Sequence, residues 1–159
     1  MSAEYNANFD NTDIATRAIH AGQEPDPTTG AVVTPIFATS TFKQDGVLGL
    51  RGGQDDSINP TRTSFDEQLA AVEGGKYALS FSSGLAAIDV LLRSTIKPGD
   101  NILLGNDVYG GTYRLLSKVF VPWGVGLDVV DITDLKAVET ALASKHYQYV
   151  WIETPSNPL

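Results

Sequence analysis

Cysteine is absent from this chain of 159 residues, and histidine occurs only twice. Without a thiol there is no disulfide framework, no cysteine nucleophile and no zinc site built on cysteine. The two histidines, His20 and His146, lie too far apart in the sequence to have the spacing of a metal pair. These absences predict a cytoplasmic protein without a structural metal.

Positive charge is scarce too, since 11 basic residues stand against 19 acidic ones and the formal net charge is -8. Such a surface repels phosphate backbones and anionic lipid, which argues against nucleic acid or a membrane as partner. The N-terminal residues form neither the basic nor the apolar part of a signal peptide, and no apolar run approaches the ~20 residues that span a bilayer. We expect neither export nor membrane insertion from a signal in this chain.

The chain does have an ordinary hydrophobic content of 42%, enough for a folded domain. Residues 1–60, however, are rich in proline, glycine, aspartate and threonine, with only short apolar pieces. This texture predicts an extended arm over 1–60 that packs on another subunit. A disordered tail is the alternative, which the apolar segments Pro35-Ile36-Phe37 and Thr41-Phe42 disfavour.

From residue 61 onward, helical and strand patterns alternate. Ser64 with Glu67 predicts a helix from Phe65 to Glu73 that Gly74 ends. Further helices are predicted over 85–93, 112–120 and 135–143, and strands over 77–81, 101–104, 127–130 and 147–152. Such alternation is typical of an α/β fold with a parallel, helix-covered sheet. Residues 61–159 would then form the first part of a larger domain.

The small residues Ser82-Ser83-Gly84 lie between a predicted strand and a predicted helix. Free backbone N–H groups and the helix dipole attract an anion at such a place, and glycine lets a phosphate approach the backbone. An ordinary tight turn explains the same residues. The segment lacks the dinucleotide glycine fingerprint and the Walker lysine, so a nucleotide-binding module has little support beyond the α/β pattern.

Two further segments follow predicted strands, where ligands bind in open α/β sheets. In the first, Tyr109 precedes two glycines, so its ring could lie flat over a planar ligand. In the second, prolines fix the backbone around Asn157, which could reach into the same crevice. A packed aromatic and a simple turn are the respective alternatives.

Together these segments resemble the PLP-dependent enzymes of cysteine and methionine metabolism. The matching motifs are Ser82-Ser83-Gly84-Leu85-Ala86-Ala87, Asp107-Val108-Tyr109-Gly110-Gly111-Thr112-Tyr113-Arg114 and Glu153-Thr154-Pro155-Ser156-Asn157-Pro158-Leu159, with Thr34-Pro35-Ile36-Phe37 and Asn59-Pro60-Thr61-Arg62 upstream. The bacterial cystathionine γ-synthase branch is the most similar, through Asp45-Gly46-Val47 and Leu50-Arg51-Gly52-Gly53. The resemblance implies part of an aspartate-aminotransferase-like, fold type I large domain and pyridoxal 5'-phosphate (PLP) as cofactor.

The resemblance also implies roles for individual residues. The backbone amides of Gly84 and Leu85 would hold the cofactor phosphate, with Ser83 as a neighbouring contact. Tyr109 would stack on the pyridine ring, and Asn157 would lie near its ring oxygen. The Schiff-base lysine of the family corresponds to a position after Leu159, and none of the six lysines present matches it. We therefore expect no catalytic residue in the chain and no normal catalysis by it alone.

One departure from the family pattern lies between the glycine pair and the Asn-Pro-Thr element. Family members carry there a Tyr-x-Arg motif whose side chains reach the partner subunit's cofactor phosphate. Here the stretch Gly53-Gln54-Asp55-Asp56-Ser57-Ile58-Asn59 is shorter and has neither side chain. Loss of one charge-assisted contact of about 1.5–3 kcal/mol weakens phosphate binding roughly 10- to 100-fold. Arg51 and Arg62 flank the gap, but the fork of an arginine must be aimed to replace the contact.

The activity that the resemblance implies is γ-replacement on an O-acylhomoserine by cysteine, in methionine biosynthesis and within a homo-oligomer. Cystathionine γ-lyase, O-acetylhomoserine sulfhydrylase and methionine γ-lyase are alternatives with the same motifs. An alternative of another class is a non-catalytic fragment that only associates with another subunit.

Overall fold

A computed structural model of the chain describes residue 9 and residues 11–43 and 59–156. The chain divides into two compact units, Met1–Ser80 and Phe81–Leu159. No helix in these described stretches is long and apolar enough to cross a bilayer. The predicted organisation into an arm over 1–60 and a large domain from 61 stays a prediction.

The first unit contains two helices in contact, α1 (Ile14–His20) and α2 (Pro60–Glu73). The carboxylate of Asp13 caps α1 by accepting a hydrogen bond from the N–H of Ala15 at 3.0 Å. Gly22, with φ +69°, lets the chain after α1 approach α2, because a Cβ there would lie 2.6 Å from the carbonyl oxygen of Ser64. Sequence patterns did not predict α1, which is too short to show an apolar period.

Helix α2 begins at Pro60, five residues before the predicted start, so the prediction of Ser64 as its cap is wrong. Asn59 is the cap: its side chain accepts from the N–H of Thr61 at 2.8 Å, and proline at the first helical position adds a preset φ. The amide of Asn59 also donates to the carbonyls of Phe37 and Thr39 at 2.6 and 2.9 Å. One side chain thus starts the helix and holds residues 37–39 against it.

Helix α2 ends at Gly74 in the left-handed conformation, as predicted. The strand predicted over 77–81 is wrong, because the structure has no strand there. The backbone of Ser80 is held instead by side chains of α2: its N–H donates to Asp66 at 2.9 Å and its carbonyl accepts from Arg62. An alternating apolar pattern makes a strand only where another strand pairs with it, and no such partner lies among the described residues.

The second unit is built on a parallel three-stranded sheet of order β2-β1-β3, which confirms the predicted α/β class. Its strands are β1 (Asn101–Gly105), β2 (Gly126–Val130) and β3 (Tyr149–Trp151). Its helices are α3 (Gly84–Thr95), α4 (Gly110–Leu115), which continues as a π-helical turn over Leu116–Phe120, and α5 (Leu135–Ser144). The helix predicted over 112–120 therefore exists, but its second half is wound more widely than an α-helix.

Strand β1 lies at the centre of this sheet and is almost fully buried. Ile102 and Leu104 belong to a core cluster with Leu92 of α3 and Phe120 of the π-helical turn. Because side chains alternate across a strand, Leu103 points to the opposite face, where it lines an open groove of about 760 Å³ beside α5. Helices α3 and α4 thus pack on one face of the sheet and α5 on the other.

Candidate functional site

The N-terminus of α3 presents backbone donors that the helix does not use. The hydroxyl of Ser83 accepts from the N–H of Ala86 at 3.1 Å, and the carbonyl of Ser83 accepts from Ala87 at 3.1 Å. In the part of the chain that the structure describes, the N–H groups of Gly84 and Leu85 have no acceptor. Apart from the neighbouring residues of the turn and helix, no atom lies within 4 Å of where a Cβ on Gly84 would be, so the space over this turn is open.

Tyr109 precedes α4 and exposes 60% of its surface. Its ring lies against the backbone of Gly111, where a Cβ would come within 2.3 Å of the ring carbon Cε1. The direction of the ring therefore depends on glycine at position 111. Gly110, by contrast, is exposed, and its nearest neighbour is the mobile end of Arg114 at 3.3 Å from a Cβ.

Glu153, two residues after β3, binds this loop from the sheet. Its carboxylate accepts hydrogen bonds from the N–H of Tyr109 at 2.7 Å, the hydroxyl of Thr112 at 2.7 Å and the indole of Trp151 at 3.1 Å. Desolvation raises the pKa of Glu153, but the hydrogen bonds from Tyr109, Thr112 and Trp151 outweigh it, so the pKa lies below its usual value. The group is therefore a carboxylate near neutral pH.

A further hydrogen bond joins the same two strand ends, from the hydroxyl of Ser156 to the carboxylate of Asp107. Both Glu153 and Asp107 lie within the family motifs, but no local sequence pattern predicts a role for either. An acid directly after the last strand, at the sheet edge where ligands bind, is the signal that could have pointed to Glu153. Asn157, the remaining predicted site residue, lies outside the described residues.

The turn Ser82-Ser83-Gly84 before α3 and the side chain of Tyr109 lie on the same face and at the same edge of the sheet. Helices α3 and α4 contact each other on the face of Ile102 and Leu104. The hydroxyl of Tyr149, the first residue of β3, donates to Thr95, the last residue of α3, at 2.7 Å. The C-terminus of α3 is thus at the amino ends of the strands, and its N-terminus, about 18 Å away along the helix, is at their carboxyl ends. Tyr109 lies at that edge because it follows β1.

Arg62 follows the stretch of residues 53–59 that is shorter than in the family, and its guanidinium already has two partners within the first unit. Its guanidinium donates to the carbonyl of Ser80, and its Nε lies 3.5 Å from the carboxylate of Asp66. This side chain is therefore not free to replace a missing phosphate contact without giving up both bonds. Arg51 and residues 53–58 lie outside the described residues, so the consequence of the missing motif stays a prediction.

The sequence matches a model of the Cys/Met metabolism PLP-dependent enzyme family over residues 15–159. It is 50% identical to a cystathionine gamma-synthase of Mycobacterium leprae over all of this chain and 41% of that protein. It is 44% identical to a cystathionine beta-lyase of Lactococcus lactis over 93% of this chain and 39% of that protein. The chain spans about two fifths of the length of these relatives.

Comparison of the fold with solved structures indicates the same family. The crystal structure of a cystathionine gamma synthase from Xanthomonas oryzae in complex with cystathionine superposes with a TM-score of 0.84 at 39% identity, covering 92% of this chain and 38% of that one. The chain therefore belongs to the family of PLP-dependent enzymes of cysteine and methionine metabolism, in which pyridoxal 5'-phosphate is the cofactor.

Proposed function

We propose that the second unit supplies half of a PLP site. The N–H groups of Gly84 and Leu85 bind the phosphate, the hydroxyl of Ser83 adds its free hydrogen, and the ring of Tyr109 covers the pyridine. Two features support this: the unpaired N–H groups face open space, and the exposed ring lies at the same edge and face of the sheet. Asn157 is proposed near the ring oxygen of the cofactor, on the family motif alone.

The energetics of this half-site agree with the charge of a phosphate. A helix dipole contributes roughly 0.3–1 kcal/mol to an anion at its N-terminus, and a hydrogen bond to a charged group about 1.5–3 kcal/mol. Two N–H groups and one hydroxyl together therefore give useful affinity, where any one of them alone would not. The ring adds about 0.5–1.5 kcal/mol through stacking.

For the longer protein we propose γ-replacement on an O-acylhomoserine. The acyl group leaves as a carboxylate, and the sulfur of cysteine takes its place on the γ-carbon, which gives cystathionine. When bound, PLP supplies an electron sink for negative charge beside the amino-acid α-carbon. The residues of this chain bind and orient the cofactor for that chemistry. The 50% identity to a cystathionine gamma-synthase across the whole chain is the observation that carries the proposal.

Elimination is the second candidate, because the Lactococcus relative is a cystathionine beta-lyase at 44% identity. Lyases and synthases bind the same cofactor and differ in what becomes of the amino-acid chain. Cystathionine γ-lyase, O-acetylhomoserine sulfhydrylase and methionine γ-lyase are further candidate activities, because these enzymes share the same cofactor and the same motifs.

Product analysis on the longest reading frame that contains this sequence separates these activities. The protein is incubated with PLP, cysteine and either O-succinylhomoserine or O-acetylhomoserine, and products are identified by mass spectrometry. Cystathionine formed from the two substrates supports γ-replacement. In a separate incubation with cystathionine, release of an oxoacid, ammonia and a thiol amino acid, with no synthesis in the first incubation, would replace this proposal with a lyase activity. Sedimentation of the same sample tests the proposed homo-oligomer.

A further inference from the structure

The carboxylate of Glu153 connects the start of helix α4 with the end of strand β3. Its Oε2 accepts from the N–H of Tyr109, at the start of α4, and its Oε1 accepts from the hydroxyl of Thr112, in the first turn of α4. Oε1 also accepts from the indole of Trp151, the last residue of β3. Thr112 is fully buried, so this end of the network is fixed by packing.

Helix α4 needs this external carboxylate because it lacks a cap of its own. Tyr109 occupies the cap position, and its side chain makes no capping hydrogen bond. The first N–H groups of a helix are left without acceptors unless a side chain supplies one. From the neighbouring strand end, Glu153 supplies an acceptor for one of these groups, the N–H of the cap residue Tyr109, and so fixes the backbone from which the Tyr109 ring projects.

We propose that Glu153 is a positioning residue that aims the Tyr109 ring. This inference rests on the proposed function, in which that ring covers PLP. The carboxylate does not touch the reacting atoms; it holds the N–H of Tyr109 and the hydroxyl of Thr112, while Gly111 leaves room for the ring between them. An amide at position 153 would offer only one acceptor oxygen, so it could not hold both donors in the same way.

Hydrogen exchange on the purified chain, without PLP, tests the clamp. In Glu153→Gln we expect the amide of Tyr109 to exchange about 10- to 100-fold faster, since a hydrogen bond to a charged acceptor is lost. The amide of Leu103, in the buried central strand β1, exchanges through global unfolding and should accelerate less than that of Tyr109, which also opens locally. Glu139→Gln, which removes an exposed carboxylate from α5, is the matched control and should change neither rate. Equal rates at Tyr109 in both variants, or equal acceleration at Leu103, would overturn the inference.

A second pair of variants approaches the clamp from its other end. Thr112→Val keeps the shape of the buried side chain and removes its hydroxyl, whereas Thr112→Ser keeps the hydroxyl. We expect faster exchange at Tyr109 in the first variant and restored protection in the second. Should Thr112→Val leave the Tyr109 amide as protected as in the unchanged chain, the shared clamp is refuted even if Glu153→Gln fails to fold.

PLP titration by calorimetry separates failure of the inference from failure of the proposed function. If the unchanged chain binds PLP, Glu153→Gln should bind about 2- to 10-fold more weakly, the range that a lost ring contact gives. Equal affinity, with unchanged exchange at Tyr109, contradicts the positioning role. An unchanged chain that takes up no PLP contradicts the proposed site, while the exchange rates still decide whether Glu153 holds Tyr109.

Discussion

Gly111 is the residue on which the direction of the Tyr109 ring most directly depends. In Gly111→Ala the new methyl group would lie 2.3 Å from the ring carbon Cε1, so the ring must turn away. We expect PLP affinity to fall about 2- to 10-fold as the stacking surface is lost. The free energy of unfolding should fall by about 1–3 kcal/mol, the usual cost of overpacking. Calorimetry and urea unfolding measure the two effects.

Gly110→Ala is the matched control for this substitution. The added methyl group would meet only the flexible end of Arg114, at 3.3 Å. Alanine favours a helix over glycine by up to about 1 kcal/mol, so the control should be as stable as the unchanged chain or slightly more stable. If both variants lower PLP affinity equally, the ring contact with Gly111 is not what matters.

The lowered pKa of Glu153 predicts how stability depends on pH. The unfolded carboxyl titrates near 4.5 and the folded one below it, so its hydrogen bonds with Tyr109 and Thr112 stabilise the fold fully above 4.5. This stability is lost as pH falls through the folded pKa, by at most about 1.4 kcal/mol per pH unit for one group. Urea unfolding from pH 7 to pH 3 measures it.

Other carboxylates contribute to the same acid loss, so Glu153→Gln isolates one of them. This variant should start less stable at pH 7 and lose less stability between pH 5 and pH 3 than the unchanged chain. Glu139→Gln should follow the unchanged chain at every pH. A Glu153→Gln curve parallel to that of the unchanged chain would show that the carboxylate gains nothing from its three donors.

At the scale of the element, the N-terminus of α3 combines a structural cap with the proposed phosphate site. Aspartate caps a helix about as well as serine, so Ser83→Asp should preserve the fold. Its carboxylate would stand beside the phosphate, however, and two like charges about 4 Å apart repel by ~1 kcal/mol even in water. We expect PLP affinity to fall about 5-fold or more, as measured by calorimetry.

Ser83→Ala removes the helix cap without adding a charge, whereas Ser83→Asp keeps the cap and adds a charge. Loss of the hydroxyl that accepts from Ala86 costs about 0.5–2 kcal/mol of stability. PLP affinity should therefore fall less than in Ser83→Asp, although stability falls more. If Ser83→Asp binds PLP as well as the unchanged chain does, the phosphate is not at this helix terminus.

Sequence patterns located the elements of the second unit well because local signals and packing agree there. The apolar run of β1 and the proline-glycine turn before it predict a buried strand, and the strand is central. They failed where a distant contact decides the structure. Ser64 looks like a cap, yet Asn59 starts α2 because its side chain also binds the carbonyls of Phe37 and Thr39, a contact that no local pattern reveals.

The same distinction applies to the candidate site. Gly84 and Tyr109 stand out as candidates because a glycine and an aromatic at strand ends leave a visible local pattern, and the family motif adds Leu85; their roles stay predictions. Glu153 does not stand out, since its role depends on donors 44 and 41 positions away in the sequence. The π-helical turn after α4 was missed for a different reason: its apolar pattern fits an α-helix equally well.

At the scale of the whole molecule, large apolar side chains remain exposed in both units, for example Leu79, Leu91, Val150 and Ile152. Isolated exposed apolar residues are ordinary, but so many of them leave apolar surface that can drive association. Strand β3 adds to this. Within the described residues it pairs only with β1, so its outer edge has free backbone groups.

An open, apolar strand edge promotes association, which predicts that the isolated chain self-associates as its concentration rises. Val150→Lys places a charge on this edge and should weaken the association seen by sedimentation. The substitution also makes the net charge of -8 less negative, which by itself would favour association, so a decrease must come from the edge. Val121→Lys adds the same charge at an exposed position after the π-helical turn. If it weakens association as much as Val150→Lys does, the edge of β3 is not the contact, because a lysine placed away from that edge would then have the same effect.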